Sequence, residues 1–253
     1  MDISSPHARV AEEICRPYSD VVASITDAVL SATPDPTRPM LTFYDDGTGE
    51  RTELSALTLG NWAAKTANFF RDELGLMPGD AVVVDLPEHW QTAAILLGAW
   101  WAGAAVELPG GSGDVVVTTA DRLDEHPDAS ETIVASLDPF GMGVPGLPVG
   151  VLDYGPSVRI HSDNFAPGAD AGPSLGDRSA LQVLDAAQAT ATAAGIASGS
   201  RVLSTRSWRD ADGIVENLVA PLAVGASLIA VANPDEEKLA ARAETERATV
   251  TLR

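Results

Sequence analysis

Met77-Pro78-Gly79-Asp80-Ala81-Val82-Val83-Val84, then Leu86-Pro87, then a run closing on Gly98-Ala99-Trp100-Trp101-Ala102-Gly103-Ala104, is the stretch whose reading decides the fold. Met77 to Asp80 is a turn, because proline and glycine supply the backbone angles a turn needs. The apolar run over 81–86 that follows has the length and composition of a buried strand. Pro87 opens a helix over 88–102, since a proline near the first turn gives up no hydrogen bond there. Gly103 ends that helix, and 104–108 is a second short strand. A strand, a helix and a strand in this order make a unit of a parallel sheet.

Working toward the N-terminus, residues 55–74 form a strong helix. Ser55 or Thr58 caps it, Leu59, Trp62, Ala63, Thr66, Phe69 and Phe70 recur at the 3.6-residue period, and Gly75 stops it. Before it, 41–44 and 50–54 read as strands around the hairpin turn Asp45-Asp46-Gly47-Thr48-Gly49. The chain opens with a helix over 8–32, which Thr33-Pro34-Asp35-Pro36 ends.

Toward the C-terminus, Pro109-Gly110-Gly111-Ser112-Gly113-Asp114 is a loop, 115–118 a buried strand, 120–125 a short helix and 133–137 a strand. Residues 138–173, rich in proline and glycine, are irregular. Helices over 179–195, 214–222 and 236–246 then alternate with strands over 202–204, 227–231 and 249–252. Gly199-Ser200-Arg201-Val202-Leu203 and Gly225-Ala226-Ser227-Leu228 repeat Gly79-Asp80-Ala81-Val82-Val83 and Gly103-Ala104-Ala105-Val106 in order and setting. The fold class is therefore α/β: a mostly parallel sheet with helices on both faces, made of two internally repeated half-units. They span roughly 36–137 and 179–253 of a single 1–253 domain, with 138–178 joining them.

The chain has 253 residues, enough to bury a core without disulfides, and its one cysteine, Cys15, allows no internal disulfide. Acidic residues outnumber basic ones 36 to 16, for a net charge of -20, and Lys65 and Lys238 are the two lysines. A nucleic-acid or anionic-membrane partner needs a clustered basic surface, so neither is expected. Nothing at the N-terminus resembles a secretory signal, and the apolar run 92–108 is too short and too rich in glycine to span a membrane. A cytoplasmic protein is the expectation.

The decisive stretch, extended by Leu54-(x)7-Trp62-Ala63-Ala64-Lys65-(x)2-Asn68, resembles the opening of the adenylate-forming superfamily: acyl-CoA synthetases, peptide-synthetase adenylation domains and luciferases. Those proteins carry a helix leading to LG-x-x-PGD-x-V, a strand, a proline-initiated helix and an AGA ending. Residues 194–203 and 222–227 resemble the same superfamily's next unit, and the likeness covers roughly 36–110 and 180–232. It implies a fold like the N-terminal part of an acyl-CoA synthetase large domain. It also implies kinship with an actinobacterial-type group of truncated AMP-binding-like proteins.

Working members place a Thr/Ser/Gly-rich phosphate loop, ending in Pro-Lys, just before the second unit's helix. Here that place holds Ala171-Gly172-Pro173-Ser174-Leu175-Gly176-Asp177-Arg178-Ser179-Ala180, a poor phosphate cradle. The histidine of the family's aromatic motif falls on Asp210, beside Trp208 and Arg209. The chain stops at Arg253, before the downstream lobe and the lysine-bearing domain that working members use. These departures imply a non-catalytic remnant acting as an interaction or ligand-sensing module, with no catalytic residues, cofactor or metal. The alternatives are a protein that binds an acyl group, acyl-CoA or adenosine, and one half of a split enzyme. The interaction reading expects a protein partner. The split-enzyme reading expects an exposed apolar patch where the downstream lobe would pack, with Trp208 and the apolar helix 214–222 as its candidates, and a homodimer would cover the same patch.

Five residues are singled out as a ligand or interface site. His89 and Trp90 stand where a strand hands over to a helix, the edge at which open α/β sheets bind ligands. Trp208, Arg209 and Asp210 stand where the resemblance places the family's aromatic motif, counted back from Gly225. Gly110-Gly111-Ser112-Gly113 looks like an anion loop, but it enters a strand and ends on Asp114. Asp153, His161 and Asp163 lie in the densest polar cluster of the irregular region, without metal-ligand spacing.

Overall fold

The structure, a computed structural model, describes residues 24–168 and 172–253. Cys15 and most of the expected first helix lie outside the described residues; its last part is α1, Ile25–Ser31. The hairpin follows as β1, Pro39–Asp45, and β2, Glu50–Ser55. Ser55 accepts the N–H of Thr58 and starts α2, Ala56–Asn68, which runs on as a π-helical turn, Phe69–Glu73.

Next come β3, Ala81–Val84, the helix α3, Trp90–Ala102, and the strands β4, Ala105–Glu107, and β5, Val115–Thr118. A 3-10 helix, Ala120–Glu125, leads to β6, Glu131–Val134. The segment expected to be irregular contains β7, Val151–Asp153, and α4, Tyr154–Arg159, and its end enters β8, Pro173–Leu175. Its order comes from tertiary bonds: Val144 N–H donates to Asp153 Oδ2 at 2.7 Å, and the Tyr154 hydroxyl meets Thr66 Oγ1 at 2.8 Å.

The second half holds β9, Arg178–Ser179, then α5, Ala180–Ala193, and β10, Arg201–Ser204. The helix α6 comprises Ala211–Ile214, a π-helical turn Val215–Val219 and Ala220–Ala223. It is followed by β11, Ser227–Ala232, α7, Glu236–Thr245, and β12, Val250–Leu252.

The strands form two sheets rather than one. The first runs β7-β6-β5-β3-β4-β8-β9 and the second β12-β10-β11-β1-β2. All neighbours are parallel except β1 with β2 and β8 with β9. The early hairpin thus joins the late sheet, with Leu41 opposite Leu228, while β8 and β9 extend the early one. One core joins both, from Val82, Val117 and Ile133 through α3 to Leu41, Phe43 and Leu228. Twelve of the thirteen α3 residues are buried, so it reads as apolar all round. A smaller cluster of Leu203, Ile229, Val231 and Leu239 packs α7 on the second sheet.

The repeat seen in the sequence is present bond for bond. Gly79 N–H donates to Gly103 O at 2.8 Å, and Gly199 N–H donates to Gly225 O at 3.0 Å. Ala105 N–H reaches Asp80 O and Ser227 N–H reaches Ser200 O, both at 2.9 Å. All four glycines have positive φ, between 76° and 95°, which is why glycine recurs there.

Candidate functional site

The C-terminal ends of β1, β3, β6 and β11 open onto a cavity of about 670 Å³ between the two sheets. Phe43, Asp45, Glu50, Glu88, His89, Leu137, Arg209 and Asn233 are among the residues that line it. Strand ends of parallel sheets are where α/β proteins bind ligands, because the loops there diverge and leave room. Two of the three described non-glycine residues with positive φ border this cavity, Leu137 at 52° and Asn233 at 46°. For the bulky leucine this is a strained conformation, of the kind that concentrates at binding sites. Asn233 is held by its Nδ2, which donates to Asp45 Oδ1 at 2.9 Å.

His89 does not sit within the helix, as expected, but caps it. Its backbone is extended and its Nδ1 accepts the N–H of Gln91 at 3.1 Å, so α3 begins at Trp90. That bond puts the ring proton on Nε2, which faces Glu50 Oε2 at 3.4 Å. Phe43 packs edge-on against the ring with centroids 4.6 Å apart. With both nitrogens engaged and the side chain buried, His89 positions Glu50 and the helix start and is not free to act as a base. The Glu50 carboxylate is equally buried and accepts the Thr52 hydroxyl at 2.7 Å.

Of the five singled-out residues, the structure brings His89 and Arg209 to this cavity and places the others apart. Trp90 turns into the core, where its ring meets Trp62 at 5.1 Å. Trp208 is buried; its backbone N–H donates to Glu88 Oε1 at 2.7 Å, tying the second half-unit's loop to the first's. Asp210 caps α6, its Oδ1 accepting Gly213 N–H at 2.6 Å. The residues expected to form an apolar interface, Trp208, Ile214, Val215, Leu218 and Leu222, are buried in the core.

Trp208 and Arg209 also border a pocket of about 50 Å³ with Asp85 and Arg122. Asp85, 1% exposed, directly follows β3 and accepts from the Arg122 guanidinium, and its Oδ2 pairs with His126 Nε2 at 2.8 Å. This cluster around a buried carboxylate was invisible in the sequence, because Asp85 lies 37 and 41 residues from Arg122 and His126 without a local motif.

The polar cluster of 153–164 is spent on packing. Lys65 Nζ donates to His161 O at 2.7 Å, His161 Nε2 meets Glu73 Oε2 at 3.0 Å, and Asn68 Nδ2 donates to Ser162 O at 2.9 Å. Among the described residues no group of three His, Cys, Asp or Glu side chains is placed to hold a metal ion. No helix there is long and apolar enough to cross a membrane.

The segment before α5 is a tight hairpin, with β8 and β9 paired around Gly176 and Asp177. Arg178 is tied to Asp212 at 2.6 Å. The Ser179 hydroxyl accepts Gln182 N–H at 3.3 Å, and Gln182 Oε1 accepts Ser179 N–H at 2.9 Å. Gly176 N–H is bonded to Val106 O. A phosphate loop needs free N–H groups, a hydroxyl and a cation. In this hairpin the Gly176 and Ser179 amides, the Ser179 hydroxyl and the Arg178 guanidinium are all engaged within the fold, a poor fit for the phosphates of a nucleoside triphosphate.

No family model matches the chain. A "TIGR03089 family protein" of Mycobacterium tuberculosis (strain ATCC 25618 / H37Rv) is 50% identical over 236 residues, covering 90% of this chain and 96% of that protein. Among solved structures, the Brucella canis acyl-CoA synthetase superposes with a TM-score of 0.74 at 20% identity. A benzoate CoA ligase from Burkholderia xenovorans LB400 gives 0.69 at 19%, and apo MatB from Rhodopseudomonas palustris gives 0.70 at 16%. Each match covers 90% of this chain but 46%, 49% and 48% of the respective enzyme, so the chain spans about half their length. At these identities the likeness establishes the fold.

Proposed function

Since the chain belongs to the TIGR03089 family and has the fold of the first half of an acyl-CoA synthetase, we propose that it is a ligand-sensing module without ATP-dependent adenylation. The observation that supports this reading is the β8–β9 hairpin, whose polar groups are engaged within the fold at the place the sequence resemblance gives to the superfamily's phosphate loop. The ligand enters the cavity between the sheets, where Glu50, held by His89, and the exposed Arg209 offer one acidic and one basic contact. Acyl-CoA, a free acyl group and adenosine are the ligand classes this proposal carries over from the fold's relatives, and a cytoplasmic setting goes with it.

Two measurements test it. Incubated with ATP·Mg²⁺ and a panel of carboxylic acids, the protein is expected to release no pyrophosphate above a blank; release would overturn the reading. A thermal-shift titration with AMP, coenzyme A and acyl-CoAs is expected to show stabilisation by one class, since ligand at about 100 times Kd adds about 2.7 kcal/mol. A protein partner is the second reading, favoured by Phe140, Met142 and Ile160, which stand 76%, 53% and 81% exposed. Absence of any ligand shift would move the assignment to that surface.

A further inference from the structure

At the opposite end of the second sheet, where β10 and β11 begin, lies a cavity of about 450 Å³. Arg38, Arg201 and Arg247 line it, three of the few cations in a chain of net charge -20. We propose that this cavity binds the phosphate group of a small phosphorylated metabolite, held between the guanidinium groups of Arg38 and Arg247.

Three observations support the assignment. The first is the conformation of Arg247. Helix α7 ends with Arg247 N–H donating to Glu244 O and Ala248 N–H donating to Ala243 O at 2.8 Å, a closure that needs a left-handed residue. Arg247 fills it at φ 54°. The corresponding closures after α2, α3, α5 and α6 use Gly75, Gly103, Gly195 and Gly225. Arginine in this position carries strain that glycine would spare, and it places a guanidinium on the cavity wall.

The second is the balance of charge. The guanidinium groups of Arg38 and Arg247 make no hydrogen bond or ion pair with any described residue. Two carboxylates lie beside them, and they are not alike: Asp35 stays charged, and Glu246 is offset by two arginines. Asp35 accepts the N–H and hydroxyl of Thr37 at 3.0 and 2.6 Å. Glu246 is bound by Arg51, Arg201 and the Tyr44 hydroxyl. Three arginines against Asp35 and Glu246 leave the cavity wall net positive, and more so because Arg51 also pairs with Glu246. Guanidinium forks match the oxygens of a phosphate two at a time, which makes arginine the side chain suited to this ligand.

The third is the comparison between the repeats. In the first half-unit the Asp80 turn also borders a cavity, of about 750 Å³, whose other wall is the loop into β5; Asp80, Asp114, Glu125, Asp128 and Glu131 line it with His126, and no arginine does. The turn before the first strand of each repeat thus borders an acidic cavity in one half-unit and an arginine-lined one in the other. The basic cavity is larger than a bare phosphate needs, which points to a phosphomonoester with a small organic body.

The test is a melting-temperature titration of the full chain with inorganic phosphate and with glucose 6-phosphate, against chloride at equal ionic strength. The expected result is a saturable rise with both, reached at lower concentration with the ester. Equal midpoints would make free phosphate the ligand and overturn the metabolite assignment. In Arg38→Gln the midpoint is expected to rise at least tenfold. In Arg247→Gly the response is expected to be lost while the melting temperature without phosphate increases, because glycine relieves the backbone. A rise no larger than with chloride, or one unchanged in both variants, overturns the proposal.

Discussion

Glu246 is 9% exposed and has hydrogen bonds from the Tyr44 hydroxyl at 2.5 Å, from Arg51 at 2.9 and 3.1 Å, and from Arg201. Burial works to raise its pKa, but these bonds together outweigh burial and hold the carboxyl at about 2, below the ordinary 4.5. The unfolded chain therefore binds the proton first. The stabilisation is complete above about pH 4.5 and is lost as pH falls from there through 2. It amounts to something on the order of 3 kcal/mol by the usual conversion of a pKa difference. Urea denaturation between pH 6 and 2.5 is expected to show this decline, and Glu246→Gln to be less stable at pH 6 with a shallower slope. Residue roles of this kind were the least legible in the sequence. Glu246 meets Tyr44 and Arg51 across some two hundred residues, and His89 as a helix cap depends on an extended backbone that no local pattern around Pro87 announces. The cavity's Glu50 and Asn233 were missed for the same reason, whereas His89 was reached through its position after a strand and Arg209 through its place beside the family's aromatic-motif position.

At the scale of elements, periodicity and turn chemistry carried most of the information. The α2 cap at Ser55, the glycine stops and the strands over 81–84, 115–118 and 227–232 all lie where the apolar spacing and the Gly/Pro punctuation put them. The segment 138–168 was not legible, because its strand is held by pairing with β6 and its short helix and the turn after it by α2 side chains, Thr66 on Tyr154 and Lys65 and Asn68 on the carbonyls of His161 and Ser162, rather than by any pattern of their own. The α2–α3 contact illustrates how closely elements fit. A Cβ on Gly98 would lie 2.5 Å from Thr66 Cβ and 2.9 Å from the Ala63 carbonyl oxygen. Gly98→Ala is expected to cost about 1–3 kcal/mol despite alanine's better helix propensity, because overpacking of a buried contact outweighs it. A lowered urea midpoint at unchanged slope is the result that checks this.

For the whole molecule, the repeat was legible but the exchange of strands was not. Both half-units look self-sufficient along the chain, yet β1 finds its parallel partner in β11, and β4 finds one in β8. Residues 36–137 and 179–253, expressed separately, are therefore expected to show no cooperative thermal transition by circular dichroism, while the full chain shows one. A sharp transition in either piece would mean that a half-unit folds alone. The same exchange has a consequence for biosynthesis. The β1–β2 hairpin leaves the ribosome early, but the strand that covers its inner edge is made about 190 residues later, roughly ten to forty seconds at ordinary elongation rates. For that interval Met40, Leu41 and Phe43 lie on an unpaired apolar edge, a template for pairing with other nascent chains. Yield of this protein in a cell should thus depend on translation speed and on chaperones that shield strand edges, more than its equilibrium stability alone would suggest.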